Sequence, residues 1–169
     1  RKAIKHCNNI ILTAPGAIEF YRQKYPEVSK EFWQLIPNGF DQKIFDDVNI
    51  NLSIELNEPD QKTKIVKLLH SGVIYPSERD PAELFLAISE LKEEKLLTQQ
   101  NFELLLRATG HDDQYQPKLE SLNITDIVKL APAIPYKQAL AEMLTTDGLL
   151  LLQADNCDYQ IPAKAYEYI

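Results

Sequence analysis

The sequence predicts a doubly wound α/β domain, a parallel sheet with helices on both faces, preceded by a piece of another domain. Three observations lead there. The predicted strands read as continuous Leu/Ile/Val runs, not as alternating patterns, so both of their faces are expected to be buried. Amphipathic segments separate them, which implies right-handed crossovers between parallel neighbours. Two of the runs, "KIVKLLHSG" and "NFELLLRATG", close on a glycine.

Taken in order, "NNIILTAP" reads as a buried strand, "GAIEFYRQKYP" as a short helix and "FWQLIP" as a strand. The stretch "NGFDQKIFDDVNINLSIELNEPDQKT" is rich in Asn and Asp with few periodic features, and reads as a linker. "KIVKLLHSG" is the next strand. "DPAELFLAISELKEEKLL" follows as a helix with Leu84, Phe85, Ile88, Leu91 and Leu96 at helical spacing. Asp80 is placed to be its N-cap, Pro81 its first residue, and Glu83 the reciprocal cap. "NFELLLRATG" is a strand and "DDQYQPKLESLN" a short helix, with Pro117 compatible only with the first turn. "DIVKLAP", "YKQALAEMLTT", "GLLLLQA" and "PAKAYEYI" continue as strand, helix, strand and the start of a helix. No internal repeat or low-complexity tract interrupts them.

The 169 residues, 44% hydrophobic and 25% charged, suffice for one substantial core and extra pieces. A net charge of −7 and the absence of a Lys/Arg block argue against nucleic acid or an anionic membrane as the main partner, and leave room for a small anion in a local pocket. The most apolar stretch, "GLLLLQA", is far short of the roughly 20 residues that span a bilayer, and no signal-peptide pattern opens the chain. These features predict a cytoplasmic protein without a transmembrane segment. Cys7 and Cys157 lack neighbouring ligands at zinc spacing and are read as reduced thiols. The first residue is Arg1 and the only methionine is Met143, so both ends read as cut and the chain as a fragment.

In an open parallel sheet, ligands bind outside the carboxyl ends of the strands. The loops to weigh are Ser71 to Arg79, Thr109 to Asp113, Ala133 to Tyr136 and Ala154 to Glu167. They contain no G-x-G-x-x-G fingerprint, no P-loop and no G-x-S-x-G elbow. His6, His70 and His111 have no paired spacing that suggests a metal and read as ordinary loop or core histidines. An anion argument remains. Gly72 removes a Cβ where phosphates can approach the backbone, and Arg79 lies just outside a capped helix N-terminus. Lys164, in the first turn of the last helix, is unfavourable beside the positive dipole end unless something negative binds there. Glu167, one turn on, is suited to accept hydrogen bonds from a ribose diol. The bland alternatives are an exposed Lys164–Glu167 ion pair, a solvated Arg79 and a plain turn residue at Gly72.

These residues resemble retaining glycosyltransferases of the GT-B fold, family 4 type, above all their carboxyl half, which binds the nucleotide-sugar donor. "IPNGFDQKIF" is similar to the family's I-P-N-G-V-D-x-x-x-F junction, and "LLHSGVIYPSERDP" to its first donor-domain strand and loop. "MLTTDGLLLLQA" resembles the segment ending in the A-D-V/L-x-L-x-P strand, and "IPAKAYEYI" the P-S-K-x-x-E-Y-L form of the donor helix. The four motifs stand in the family's order and cover nearly the whole chain.

The resemblance implies a division into residues 1–37 (strand, helix and strand left from the acceptor-side domain), 38–62 (linker) and 63–169 (a donor domain incomplete at its C-terminus). It implies that Glu167 contacts the donor ribose, that Arg79 and Lys164 neutralise the diphosphate as the catalytic cations, that Gly72 admits it, and that backbone around Ile134 lies near the nucleobase. Neither cofactor nor metal is implied. The partners implied are a nucleoside-diphosphate sugar and a sugar or lipid-linked acceptor, in cell-surface polysaccharide synthesis, with peripheral membrane association open to the full-length enzyme. Tyr159 departs from the pattern, standing where many members carry the first glutamate of E-x7-E. With their domain missing, the strands "IILTAP" and "FWQLIP" are expected to add to an edge of the remaining sheet or to pair with another molecule, giving self-association. The alternatives are a non-catalytic α/β module for a phosphorylated small molecule or protein partner, and a sugar-nucleotide epimerase of GT-B architecture, for which no acid cluster is evident.

Overall fold

The computed structural model describes residues 2–55 and 65–168. The elements are α1 (Lys2–His6), β1 (Ile10–Leu12), α2 (Pro15–Lys24), β2 (Trp33–Leu35), α3 (Gln42–Glu55), β3 (Val66–Ser71), α4 (Ala82–Glu93), β4 (Phe102–Arg107), α5 (Asp112–Ser121), β5 (Val128–Ala131), α6 (Tyr136–Thr145), β6 (Gly148–Leu149) and α7 (Ala163–Tyr168). They form two units, one from Asp41 to Leu152, the other from the residues up to Phe40 together with those from Gln153 onward.

The first of these is the α/β unit. Its four parallel strands run in the order β5-β4-β3-β6. Side chains of a strand alternate between faces. The register Leu68↔Leu104↔Val128 and His70↔Leu106↔Leu130 therefore builds one continuous apolar face. Against it pack Phe85 and Ile88 of α4 and Tyr115 and Leu119 of α5, with Ile74, Ile124 and Ile127 from the loops. Burying a large apolar side chain contributes about 1.5–3 kcal/mol. On the other face lie Leu69 and Leu105, and α6, burying Leu140 and Met143, packs on β3.

Several elements differ from the sequence reading. The stretch read as a featureless linker holds the 14-residue α3, which packs on α6 and buries Val48. Its start was legible: the Asp41 carboxylate accepts from the Lys43 N–H at 3.0 Å, an N-cap signal. Residues 56–63 of that stretch lie outside the described residues. Pro117 is the sixth residue of α5, past the first turn, so the Asp113 carbonyl loses its usual donor; burial of Tyr115 and Leu119 compensates. The start of α4 is one residue later than expected, yet Asp80 still accepts from the Ala82 N–H at 3.1 Å. Leu91 and Leu96 do not join the core: they are 38% and 58% exposed, and Leu96 lies beyond the helix, which ends at Glu93. It ends in a left-handed closure, Leu96 N–H to Leu91 O and Lys95 N–H to Lys92 O, both 2.9 Å, with Lys95 at φ 60°.

In the second unit, β1 and β2 pair with each other, parallel, with Ile10 opposite Trp33 and Leu12 opposite Leu35. This corrects the expectation that they would add to an edge of the other sheet. Local sequence marks a strand but not its partner, and each satisfies the other's backbone. Trp33, 3% exposed, is flanked by the near-parallel rings of Tyr21 and Tyr25 from α2. Tyr159 stacks on Phe20 with centroids 4.5 Å apart, and its backbone approaches α2 so closely that a Cβ on Gly16 would meet the Tyr159 carbonyl at 2.8 Å.

The left-handed Lys95 generates a test. A non-glycine residue there costs about 1–2 kcal/mol, so Lys95→Gly is expected to raise stability by about 1 kcal/mol in urea denaturation; unchanged or lowered stability would show that the closure carries no strain.

Candidate functional site

Strand order reverses between β3 and β6: the chain winds outward from β3 through β4 to β5, then returns to lay β6 on β3's other edge. A crevice outside the carboxyl ends of such strands is where open α/β sheets take ligands. Beyond β3 the backbone keeps its pairing with the segment after β4, Gly72 N–H to Arg107 O at 2.8 Å and Ile74 N–H to Thr109 O at 3.0 Å. Gly72 has φ 112°, so glycine is required there by the backbone itself.

Arg79 closes the turn after this loop, its N–H on Tyr75 O at 2.8 Å and its guanidinium 5.5 Å from the Tyr75 ring centroid. Among the described residues its guanidinium makes no hydrogen bond or ion pair, and the residue is half-buried. Ile134, also half-buried, lies in the β5–α6 connection, two strands away on the same edge. Lys164 and Glu167 belong to the second unit. Both lie on α7, half-buried, Lys164 in its first turn, and each has an interaction within the chain. Thus the structure brings Gly72 and Arg79 together on one loop, sets Ile134 on the same edge, and carries Lys164 and Glu167 three residues apart on α7 of the other unit.

Sequence reasoning missed the residues that hold this edge. Arg107, ending β4, grips the Glu142 carboxylate of α6 through Nε at 2.9 Å and through Nη2, and donates from Nη1 to Pro132 O at 2.9 Å. His70, fully buried, reaches Leu150 O with Nδ1 at 2.9 Å; a carbonyl can only accept, so this nitrogen carries the proton. Thr109 donates to Asp112 and accepts from the His111 N–H at 3.1 Å, which fixes the turn into α5. Tyr115, 1% exposed, donates its hydroxyl to Ile74 O at 3.2 Å and so ties α5 to the loop after β3. A cavity of about 270 Å³, lined by Lys67, Leu69, Glu103, Leu105 and Thr145 among others, opens over the amino-terminal and middle parts of β3 and β4 instead. Among the described residues no three His, Cys, Asp or Glu side chains are placed to hold a metal ion. None of the described helices is long and apolar enough to cross a membrane.

Neither a family model nor a curated protein sequence matches the chain. Solved structures do. A glycosyltransferase from Rickettsia africae superposes with a TM-score of 0.61 at 12% identity, over 88% of this chain and 41% of its own. Sucrose-phosphate synthase from Thermosynechococcus elongatus gives 0.61 at 17%, over 88% and 35%. HepE from Anabaena, in complex with UDP and glucose, gives 0.58 at 14%, over 87% and 38%. The chain shares its fold with glycosyltransferases. The α/β parallel-sheet architecture read from the sequence is present, and it is that of the Rossmann-like half of the GT-B glycosyltransferase fold. The chain spans about two fifths or less of the length of these glycosyltransferases.

Burial holds the Tyr115 hydroxyl above its ordinary value of 10.0, with the nearby Asp80 charge adding to the effect. A raised folded-state value gives stability that is complete below pH 10 and lost above it, as the unfolded chain ionises first. Thermal unfolding followed from pH 8 to 11 should therefore show a steeper alkaline loss in the wild type than in Tyr115→Phe; parallel curves would sink the assignment.

Proposed function

We propose that the chain is the donor-binding part of a retaining glycosyltransferase of family 4 type, which binds a nucleoside-diphosphate sugar and, within the longer protein, passes the glycosyl group to an acceptor hydroxyl. The observation that carries this reading is the placement of Gly72 and Arg79 at the carboxyl end of β3, at the point where the strand order reverses. The UDP and glucose held by HepE, a protein of the same fold, support the ligand class.

Arg79 has its donors available for a diphosphate, and Gly72 leaves the backbone open to it. When the bond from the anomeric carbon to the diphosphate breaks, negative charge builds on the departing phosphate. Arg79 and Lys164 are the cations assigned to stabilise it, without a metal or other cofactor. Glu167 is assigned to the ribose diol and backbone around Ile134 to the base. The whole enzyme would work in the cytoplasm on a sugar or lipid-linked acceptor for cell-surface polysaccharide. This chain alone would bind the donor without transferring it.

Calorimetry with a panel of nucleoside diphosphates tests the reading. Hydrogen bonds to charged groups contribute about 1.5–3 kcal/mol, so Arg79→Ala and Lys164→Ala should each weaken the best ligand about 10- to 100-fold. Glu167→Ala should abolish discrimination between a ribose and a 2′,3′-dideoxyribose nucleotide. Binding that ignores all three substitutions would overturn the assignment.

A further inference from the structure

The β5–α6 connection is Pro132-Ala133-Ile134-Pro135, and its two prolines have no N–H. The amide donors of the loop are therefore those of Ala133 and Ile134. Among the described residues, neither these N–H groups nor the carbonyls of the same two residues have a hydrogen-bond partner, and Ala133 is exposed and Ile134 half-buried. A short main-chain edge with two donors and two acceptors is thus presented outward at the carboxyl side of the sheet. Such an edge reads a ligand only if it is held still, because ordering it on binding would cost conformational entropy for each residue fixed.

The loop's far end is fixed by the Gln138 and Ala139 N–H groups on Pro135 O, and its near end by a side chain. The Arg107 guanidinium takes the Pro132 carbonyl with Nη1 while its other two nitrogens fork onto the Glu142 carboxylate. Its own strand backbone is paired on both sides of this point, Gly72 N–H to Arg107 O and Ala108 N–H to Ala131 O, both 2.8 Å. The Arg107 side chain is 13% exposed and that of Glu142 30%, so the cation is largely shielded while the carboxylate still meets water. One planar cation thereby joins β4, the start of the loop and the second turn of α6, the helix that the loop enters. Lysine, a point charge, could not make all three bonds in one plane.

We infer that Arg107 is a positioning residue for nucleobase recognition: it fixes the Pro132–Pro135 main chain so that Ala133 and Ile134 present their amide and carbonyl groups to the edge of the base. This rests on the donor reading above. Arg107 touches neither base nor phosphate, so its loss should affect discrimination between bases more than attraction for the diphosphate.

The test is calorimetry of the full chain with UDP, GDP and ADP, and with inorganic pyrophosphate as a probe without a base. In Arg107→Met, the preferred nucleotide should weaken about tenfold, the ranking of the three should flatten, and pyrophosphate should bind as in the wild type. Arg107→Lys should give an intermediate ranking. Glu142→Gln, which keeps an acceptor for the fork, is the milder variant should Arg107→Met fail to fold, and it should flatten the ranking about two- to threefold. An unchanged ranking in folded Arg107→Met or Glu142→Gln overturns this inference alone. A wild-type chain that binds none of the nucleotides overturns the donor reading and this inference with it.

Discussion

Leu69 and His70 are neighbours on β3 that point to opposite faces of the sheet, yet they are 1% and 0% exposed. A strand sealed on both faces must find partners for all of its backbone and for any polar side chain it carries. β3 meets the first demand with β4 along its whole length on one edge and with β6 on the other. For the His70 ring it meets the second at Nδ1, which donates to the carbonyl of Leu150, while the Leu150 N–H donates back to Leu69 O at 2.8 Å. β6 has only two ladder residues and would be a weak strand by itself. The buried histidine is what anchors its continuation against β3.

The rest of the α/β unit follows from that arrangement. With β6 on one side of β3 and β4 and β5 on the other, the connections leave the carboxyl edge in opposite directions, the topology at which open α/β sheets take ligands. The same edge is stiffened by bonds that cross from one loop to the next: Tyr115 to the loop after β3, Thr109 to the head of α5, and Arg107 to the loop after β5. Among the described residues Arg79 has no carboxylate partner, and its guanidinium rests on the Tyr75 ring.

The parts of this architecture written in local pattern were legible in the sequence. Continuous Leu runs marked β3 and β4, the Asp80 cap marked α4, and Gly72 marked the end of a strand, because each depends on residues within a turn or two. α3 was missed for a different reason. Its Asn- and Asp-rich composition lowers helix propensity, and what holds it is packing on α6, about a hundred residues away. Arg107 at the end of an apolar run looks like a charge that marks the return to solvent. Its two acceptors, Glu142 and Pro132, are 35 and 25 residues distant, and no local pattern announces them. The mutual pairing of β1 and β2 was hidden in the same way, since a strand's sequence states its period and not its neighbour.

Tyr159 shows where a resemblance and a packing requirement part. It stands at a position where the resembling pattern carries a glutamate, and its ring lies 7° from parallel to Phe20 on α2, with Lys24 Nζ 5.3 Å from the Phe20 centroid. Stacking of this kind adds about 0.5–1.5 kcal/mol beyond area burial, and a carboxylate cannot supply it. Gly16 belongs to the same arrangement, because any side chain there would strike the Tyr159 backbone. The glycine, the phenylalanine and the tyrosine therefore act together, docking the segment after Gln153 on α2. In this chain the position holds its own unit together, through contacts that a carboxylate would not make.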